Sequence, residues 1–203
     1  MLMMLGIGSV LGALFGPDEK WGLEARKLPI QFFIATLAIS LSCCLRALGT
    51  FGNERPAFWR ERNSGVSTFA YFTAKMLTDF IWIFAYPVAF LMSWKVSSIP
   101  RGMVSVYYRI LVAVAWAASG QGYALSVLLK PEKAKFTGLI SVLLCMMFSG
   151  LEPTLPSLPE GLMKDMFQLS FGRWALEALF VTEIDSYPLV YKRDPTIKNL
   201  IKR

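Results

Sequence analysis

Long apolar runs with almost no charged residues constrain the fold of this chain more than any other feature. A helix that crosses a bilayer needs about 20 mainly apolar residues, and about 17 is the lower limit. Two runs reach this length outright, the third and fifth reach it when neighbouring residues are added, and the first is interpreted as the end of a span. The predicted spans are residues 1–16, 28–48, 69–94, 104–129 and 134–151. The chain is therefore predicted to be an all-α, polytopic integral membrane protein.

Composition supports this class and excludes others. Of the 203 residues, 55% are hydrophobic, and the mean hydropathy is positive. The net charge of +7 does not predict nucleic-acid binding, because Arg and Lys lie mainly in short loops beside the spans. The absence of histidine from the sequence excludes a His-based metal site or general base, and no metal site is predicted. The three cysteines lie inside apolar runs, so a disulfide framework is not expected.

The distribution of basic residues predicts the orientation of the spans. The loops at residues 46–62 and 130–135 are rich in Arg and Lys, and two spans separate them. Both loops are therefore expected on the cytoplasmic side, as the positive-inside rule requires. The loop at residues 152–161 has two glutamates and no basic residue, which fits the opposite side.

The cytoplasmic loop at residues 52–66 is built differently from a simple turn. It holds three arginines, two glutamates and an aromatic pair, Phe58 and Trp59, and Pro56 suits the first turn of a helix. A short surface helix is predicted, with its aromatics at the membrane interface and its arginines free to reach headgroups or carboxylates. Periodicity alone leaves open a basic loop that only sets the topology.

The external stretch at residues 152–184 begins with three prolines at three-residue spacing, which stop a continuing helix. Helical periodicity then restarts at residues 171–182, where Arg173 and Glu177 form an i,i+4 pair. This segment is too short to span, so an amphipathic helix at the outer interface is predicted.

A few polar residues and glycines fall inside the spans. Lys75 and Asp79 are four residues apart, and they are expected to neutralise each other near the inner interface rather than contact a substrate. Gln121 needs a partner in hydrocarbon, and helix packing is favoured over a cavity-lining role. The first run carries glycines four residues apart that predict close helix packing, although glycines merely tolerated in a membrane helix remain an alternative. These glycines are Gly8, Gly12 and Gly16.

Three blocks in order resemble the transmembrane domain of the G subfamily of ABC transporters, the white/brown-complex type. The segment at residues 148–151 resembles the end of that family's fifth span. The segment at residues 173–179 resembles the external helix that follows it. The first block resembles the motif between the second and third spans, and its matching residues are Glu54, Arg55, Phe58, Arg60, Glu61, Ser64, Gly65, Tyr71, Lys75 and Asp79.

The resemblance implies a type II exporter transmembrane domain with six helices that works as a dimer, of which this chain would hold about five. Residues that receive motion from a nucleotide-binding domain would be Glu54, Arg55, Phe58, Arg60 and Glu61. The fifth span would line the translocation path with the second, and the candidate path residues are Met146, Met147, Phe148, Leu151 and Glu152. For the two methionines, ordinary packing is the default alternative. The family often places a pair of leucines at the constriction, whereas here an acidic residue follows Leu151, which allows an acidic ring in the dimer.

The expected function is the membrane-spanning part of an ATP-driven exporter of a hydrophobic or amphipathic compound or lipid. No Walker A sequence occurs in the chain, so it is expected to bind no cofactor and to hydrolyse no ATP itself. ATP and Mg²⁺ would belong to a nucleotide-binding domain that the chain lacks. The other expected partners are a second half-transporter, identical or different, and the lipid bilayer. A channel or secondary transporter, and a non-transporting membrane scaffold, are the alternatives.

Overall fold

A computed structural model describes residues 1–14, 28–52, 55–97, 102–151 and 161–186. Every regular element within these ranges is an α-helix, as the sequence predicts. The helices are α1 (Leu2–Leu14), α2 (Leu28–Gly52), α3 (Arg55–Asn63), α4 (Thr68–Ser97), α5 (Val104–Leu128), α6 (Pro131–Met147), α7 (Leu162–Leu169) and α8 (Phe171–Asp185).

Three of these helices are long and apolar enough to cross a membrane. They are the portions Leu28–Phe51 of α2, Thr68–Val96 of α4 and all of α5. The apolar helix α1 is shorter, with 13 residues, and α6 has 17. The all-helical membrane fold is therefore confirmed, while the assignment of five spans stays a prediction.

The long helices pack around α2, which contacts α5 along its length and α6 on another side. Close packing depends on glycines that let backbones approach. A Cβ atom at Gly122 of α5 would lie 2.7 Å from the carbonyl oxygen of Cys44 and from the Cβ of Ala47, both on α2. The Cβ position of Gly138 on α6 likewise faces the Leu48 side chain. Small residues thus set the distance between α2 and its two neighbours.

Helix α1 packs on α4 through the predicted glycine surface. Gly8 and Gly12 are both buried. A Cβ atom at Gly8 would lie 2.8 Å from the carbonyl oxygen of Phe90, whereas one at Gly6 would meet nothing within 4 Å. The prediction of close packing is confirmed for Gly8, and Gly16 lies outside the described residues.

Two aromatic groups hold α2, α4 and α5 together, one at each end of the bundle. At one end the Phe51 ring stacks on Phe72 at 5.4 Å between centroids and meets Tyr123 edge-on at 5.8 Å. At the other end Phe32, Trp94 and Tyr107 lie within 6.3 Å of one another. Helix α3 adjoins the first group and α8 the second, so we call these the α3 end and the α8 end. The three helices run antiparallel in turn, as alternate spans must.

Candidate coupling site

The C-terminal end of the short helix α3 is well defined. Ser64 ends it, and the Ser64 hydroxyl donates to the carbonyl oxygens of Arg60 and Glu61, each at 3.1 Å. Gly65 follows with φ +93°, a conformation that glycine adopts without strain. Helix α4 starts immediately afterwards, where the Ser67 hydroxyl accepts the N–H of Ala70 at 3.1 Å. Two helices thus meet at a turn of only four residues, 64–67.

An aromatic contact fixes α3 to the beginning of α4. The half-buried ring of Phe58 lies 5.0 Å from Tyr71 and 6.1 Å from Trp59, measured between ring centroids. Trp59 is 58% exposed, and the guanidinium of Arg62 lies 5.8 Å from its ring centroid. One aromatic side chain therefore anchors the helix while its neighbour stays accessible.

The predicted coupling residues are distributed over this helix. Arg60 and Glu61 are exposed, and Phe58 is the anchor. Glu54 and the side chain of Arg55 lie outside the described residues. The exposed surface formed by Trp59, Arg60, Glu61 and Arg62 is called the α3 surface below. It offers both signs of charge and one large ring to a partner.

Behind α3, a cluster of polar side chains lies between the long helices. Asp79 of α4 is 7% exposed, and its carboxylate accepts hydrogen bonds from three residues on two other helices. Arg46 Nη2 donates to Oδ1 at 3.1 Å, and the Tyr123 hydroxyl donates to Oδ2 at 3.1 Å. The Thr50 hydroxyl also donates to Oδ2. We call these four residues the polar cluster.

The expected neutralisation of Asp79 by Lys75 is corrected by this geometry. Asp79 points into the bundle, where α2 brings the guanidinium of Arg46 within hydrogen-bond distance. The Lys75 ammonium instead lies 5.9 Å from the ring centroid of Tyr71 on its own helix. A partner from another helix replaces the i,i+4 partner because the carboxylate faces α2 and α5.

Arg46 makes two kinds of contact. Its guanidinium also lies 4.3 Å from the ring centroid of Trp82, a cation–π arrangement that suits a desolvated cation. A shallow recess adjoins the pair and is lined in part by Tyr86 and Ser119. The buried Nε atom of Arg46 has no hydrogen-bond partner among the described residues. The cluster is therefore an intramembrane charge pair with a shallow recess beside it.

Gln121 on α5 connects this helix to α6. Its amide nitrogen donates to the Ser141 hydroxyl and, at 3.6 Å, to the Cys145 sulfur, both on α6. These contacts are those of helix packing between α5 and α6. Its Oε1 atom is buried without a partner among the described residues.

The predicted path residues do not form one continuous wall. Met146 is 1% exposed and packs against Gly172 of α8, whereas Met147 is 67% exposed. The Phe148 ring meets Phe167 of α7 at 5.2 Å. Leu151 is half-buried, and Glu152 lies outside the described residues. Within a single chain, Met146 and Met147 thus face different surroundings.

Several residues that make polar contacts in the structure are not identified from the sequence. Arg46 was counted with the basic loop, and Tyr123 was not singled out. Glu183 on α8 is 1% exposed. Its position four residues after Leu179 and seven after Leu176 places it on the buried side of a helix, which is a signal that the sequence does contain. No group of three or more His, Cys, Asp or Glu side chains gathers anywhere in the described ranges.

Together, the long apolar helices, the short charged helix α3 at one end and the charge pair between α2 and α4 define a helical membrane domain. The chain belongs to the ABC-2 type transporter family, whose family model matches residues 1–193. It is the membrane domain of an ABC transporter of the G family, as its relatives indicate.

Those relatives are much longer than this chain. ABC transporter G family member 25 of Oryza sativa subsp. japonica is 34% identical over 156 residues, covering 76% of this chain and 15% of the relative. ABC transporter G family member 28 of Arabidopsis thaliana is 29% identical over 191 residues, covering 94% and 16%. The ABC-type transporter claG of Penicillium crustosum is 28% identical over 184 residues, covering 86% and 24%. The chain spans less than a quarter of the length of each.

Proposed function

We propose that this domain is the membrane-spanning part of an ATP-driven exporter that moves a hydrophobic or amphipathic compound or lipid. The observation that carries the proposal is the α3 surface, which is exposed while its helix is fixed to α4 by Phe58 and Tyr71. A helix anchored on one side and charged on the other can transmit a push from a soluble partner to a span.

The partner for this surface is a nucleotide-binding domain, which supplies the ATP and Mg²⁺ chemistry when it is present. Arg60 and Glu61 are the candidates for ion pairs with it, together with Glu54 and Arg55. A second half-transporter, identical or different, completes the path. Every chemical step of ATP hydrolysis belongs to the partner, and this chain contributes the movement of its helices.

The contacts behind α3 support a route for that movement. Displacement of Phe58 acts on Tyr71 at the start of α4, one residue before Phe72. Phe72 stacks on Phe51 of α2, which in turn contacts Tyr123 of α5. Tyr123 donates to Asp79, so the route ends at the polar cluster. A tilt of α3 is therefore shared among α2, α4 and α5 rather than absorbed by one helix.

The translocation path is proposed at the exposed side of α6, facing the second half-transporter. Exposed Met147 and half-buried Phe148 and Leu151 are its proposed apolar residues, and Glu152 is its proposed acidic residue. Met146 acts instead as packing for α8.

The proposal is tested with Arg60→Ala and Glu61→Ala in the intact full-length protein, reconstituted in lipid vesicles. Both variants should retain ATP hydrolysis and lose most transport of a fluorescent amphipathic probe per ATP consumed. Met92→Ala, at a 66% exposed position on α4, serves as the control. Unchanged transport in both variants would overturn the assignment of α3. Probe flux that needs no ATP in the wild-type protein would favour a channel, and no flux under any condition would favour a scaffold.

A further inference from the structure

A buried carboxylate lies at the α8 end of the bundle, far from the polar cluster. Glu183 near the end of α8 is 1% exposed. Its Oε2 atom accepts hydrogen bonds from the Tyr107 hydroxyl on α5 and from the backbone N–H of Gly102, the latter at 3.2 Å. These donors are 76 and 81 residues away in the sequence. The contact therefore fastens one end of α8 to the beginning of α5.

The surroundings of Tyr107 make this contact specific. Tyr107 is fully buried, and its ring lies 6.3 Å from Phe32 and 5.7 Å from Trp94. A buried tyrosine hydroxyl needs a hydrogen-bond partner, and the ring cannot turn aside to find another one. A Cβ atom at Gly102 would lie 2.9 Å from the ring atom Cε2, so the chain passes directly against the aromatic side chain. Tyr107 thus connects the carboxylate on α8 to the aromatic side chains of α2 and α4.

The opposite end of α8 is fastened to a different span. The Ser170 hydroxyl, just before α8, donates to the carbonyl oxygen of Cys145 on α6. At Gly172 a Cβ atom would lie 3.2 Å from that same carbonyl oxygen and 3.0 Å from the Met146 sulfur. Helix α8 therefore bridges α6 at its beginning and α5 at its end.

We propose that α8 is a strap that holds the ends of α5 and α6 together, and that Glu183 is the positioning residue that fastens it. An apolar side chain would fill the same place without the desolvation penalty of a buried carboxylate. A carboxylate with two directed donors instead fixes the rotation of α8 and its height along α5. The part of this proposal that concerns transport rests on the proposed function.

The strap has a consequence for the transport cycle. When α3 is pushed at one end, a separation of spans at the other end must either stretch α8 or carry it along. Because α8 is attached to both α5 and α6, the two spans move together and the distance between their ends is kept. Loss of the fastening frees α5 from α6, so movement at the α3 end no longer reaches the path.

The test uses the full-length protein in lipid nanodiscs and measures amide hydrogen exchange of the Phe171–Asp185 segment without nucleotide. Tyr107→Phe should raise exchange about 10–100-fold, which corresponds to the loss of one hydrogen bond to a charged group. Glu183→Ala removes the acceptor of both donors and should raise exchange at least as much. Glu183→Gln keeps an oxygen acceptor and should stay near the wild type. Glu177→Gln, at a 57% exposed side chain on the same helix, is the control. Should Glu183→Ala fail to fold, Tyr107→Phe removes a single oxygen and probes the same contact.

The proposal that α8 is a strap would be overturned by unchanged hydrogen exchange in Tyr107→Phe. Equal exchange in Glu183→Gln and Glu183→Ala would also overturn it. Transport and ATP hydrolysis are then measured on the same samples, where Tyr107→Phe should lose transport per ATP by a similar factor. Normal transport with a loosened α8 would reject the role in transport and leave only the attachment. A wild-type protein without ATP-driven flux would reject the proposed function, while the exchange result without nucleotide would still decide on the strap.

Discussion

Arg46 and Asp79 form an ion pair across 3.1 Å, and they belong to neighbouring spans, α2 and α4. The pair neutralises two charges that hydrocarbon would otherwise disfavour strongly. Thr50 and Tyr123 supply two more hydrogen bonds to the same carboxylate. The pair thus adds an electrostatic and directional contact to the aromatic contacts between α2 and α4, whereas glycine packing sets the distance between α2 and α5.

Asp79→Ala should destabilise the domain by about 2–3 kcal/mol, because it leaves Arg46 without its carboxylate in a largely apolar setting. Breaking such a pair by removing one partner is more harmful than removing both. The measurement is the thermal unfolding midpoint of the full-length protein in detergent.

The double variant Arg46→Met with Asp79→Leu is the control for this prediction. It removes both charges and keeps apolar volume, so its unfolding midpoint should lie above that of Asp79→Ala. A double variant that is less stable than the single one would contradict the interpretation as a charge pair.

Gly122→Ala should lower the unfolding midpoint, since the added methyl group would lie 2.7 Å from the Cys44 carbonyl oxygen on α2. Overpacking of this kind costs about 1–3 kcal/mol. Gly120→Ala, two residues away on the same helix, has nothing within 4 Å of its new methyl group and should be neutral or stabilising. Equal effects of the two substitutions would show that α2 and α5 are farther apart than described.

Gly8→Ala should loosen α1 from α4, because its Cβ would lie 2.8 Å from the Phe90 carbonyl oxygen. The matched control is Gly6→Ala, which faces open space. Amide hydrogen exchange of the Leu2–Leu14 segment reports the contact. Gly8→Ala should raise this exchange severalfold relative to Gly6→Ala, and equal exchange in the two variants would contradict the packing.

Ser64→Cys should react with a membrane-impermeant maleimide only from the cytoplasmic side, because the basic loops predict that orientation. Leu169→Cys, which is 85% exposed at the opposite end, should react only from the external side. The natural cysteines Cys43 and Cys44 are buried and give a low background. Labelling of Ser64→Cys from outside alone would reverse the orientation and remove the basis for a docking helix.

Phe58→Ala and Trp59→Ala should have different effects, because the two aromatic side chains have different surroundings. Phe58 contacts Tyr71 of α4, whereas Trp59 is largely exposed. In paired assays, Phe58→Ala should keep ATP hydrolysis while transport falls several-fold, and Trp59→Ala should leave the unfolding midpoint unchanged. Full transport in Phe58→Ala would show that α3 is not rigidly attached.

Local pattern was sufficient for the helices. The predicted segment 104–129 corresponds to α5, and the helix predicted at residues 171–182 corresponds to α8, although α7, at Leu162–Leu169, was not predicted. The i,i+4 pair of Arg173 and Glu177 is present at 3.9 Å. Each of these features depends on residues within one or two helical turns, which is the range over which sequence spacing determines contact.

Contacts between residues that are far apart in the sequence could not be predicted from such spacing. Asp79 was assigned to Lys75 because four residues separate them, yet its charge partner is Arg46, 33 residues away. The donors to Glu183 could not be predicted because Tyr107 and Gly102 are 76 and 81 residues away in the sequence. Spacing predicts which face of a helix a residue occupies, whereas the packing of α2 against α4 and α5 decides what that face meets.

The two aromatic groups at opposite ends of α2, α4 and α5 have a mechanical consequence. Three rods joined at both ends cannot pivot about each other, so these helices form a single stiff lever. Displacement at the α3 end is then returned with opposite sense at the α8 end. Because α1 packs closely on α4 and α6 packs closely on α2, both helices must follow this lever or slide against it.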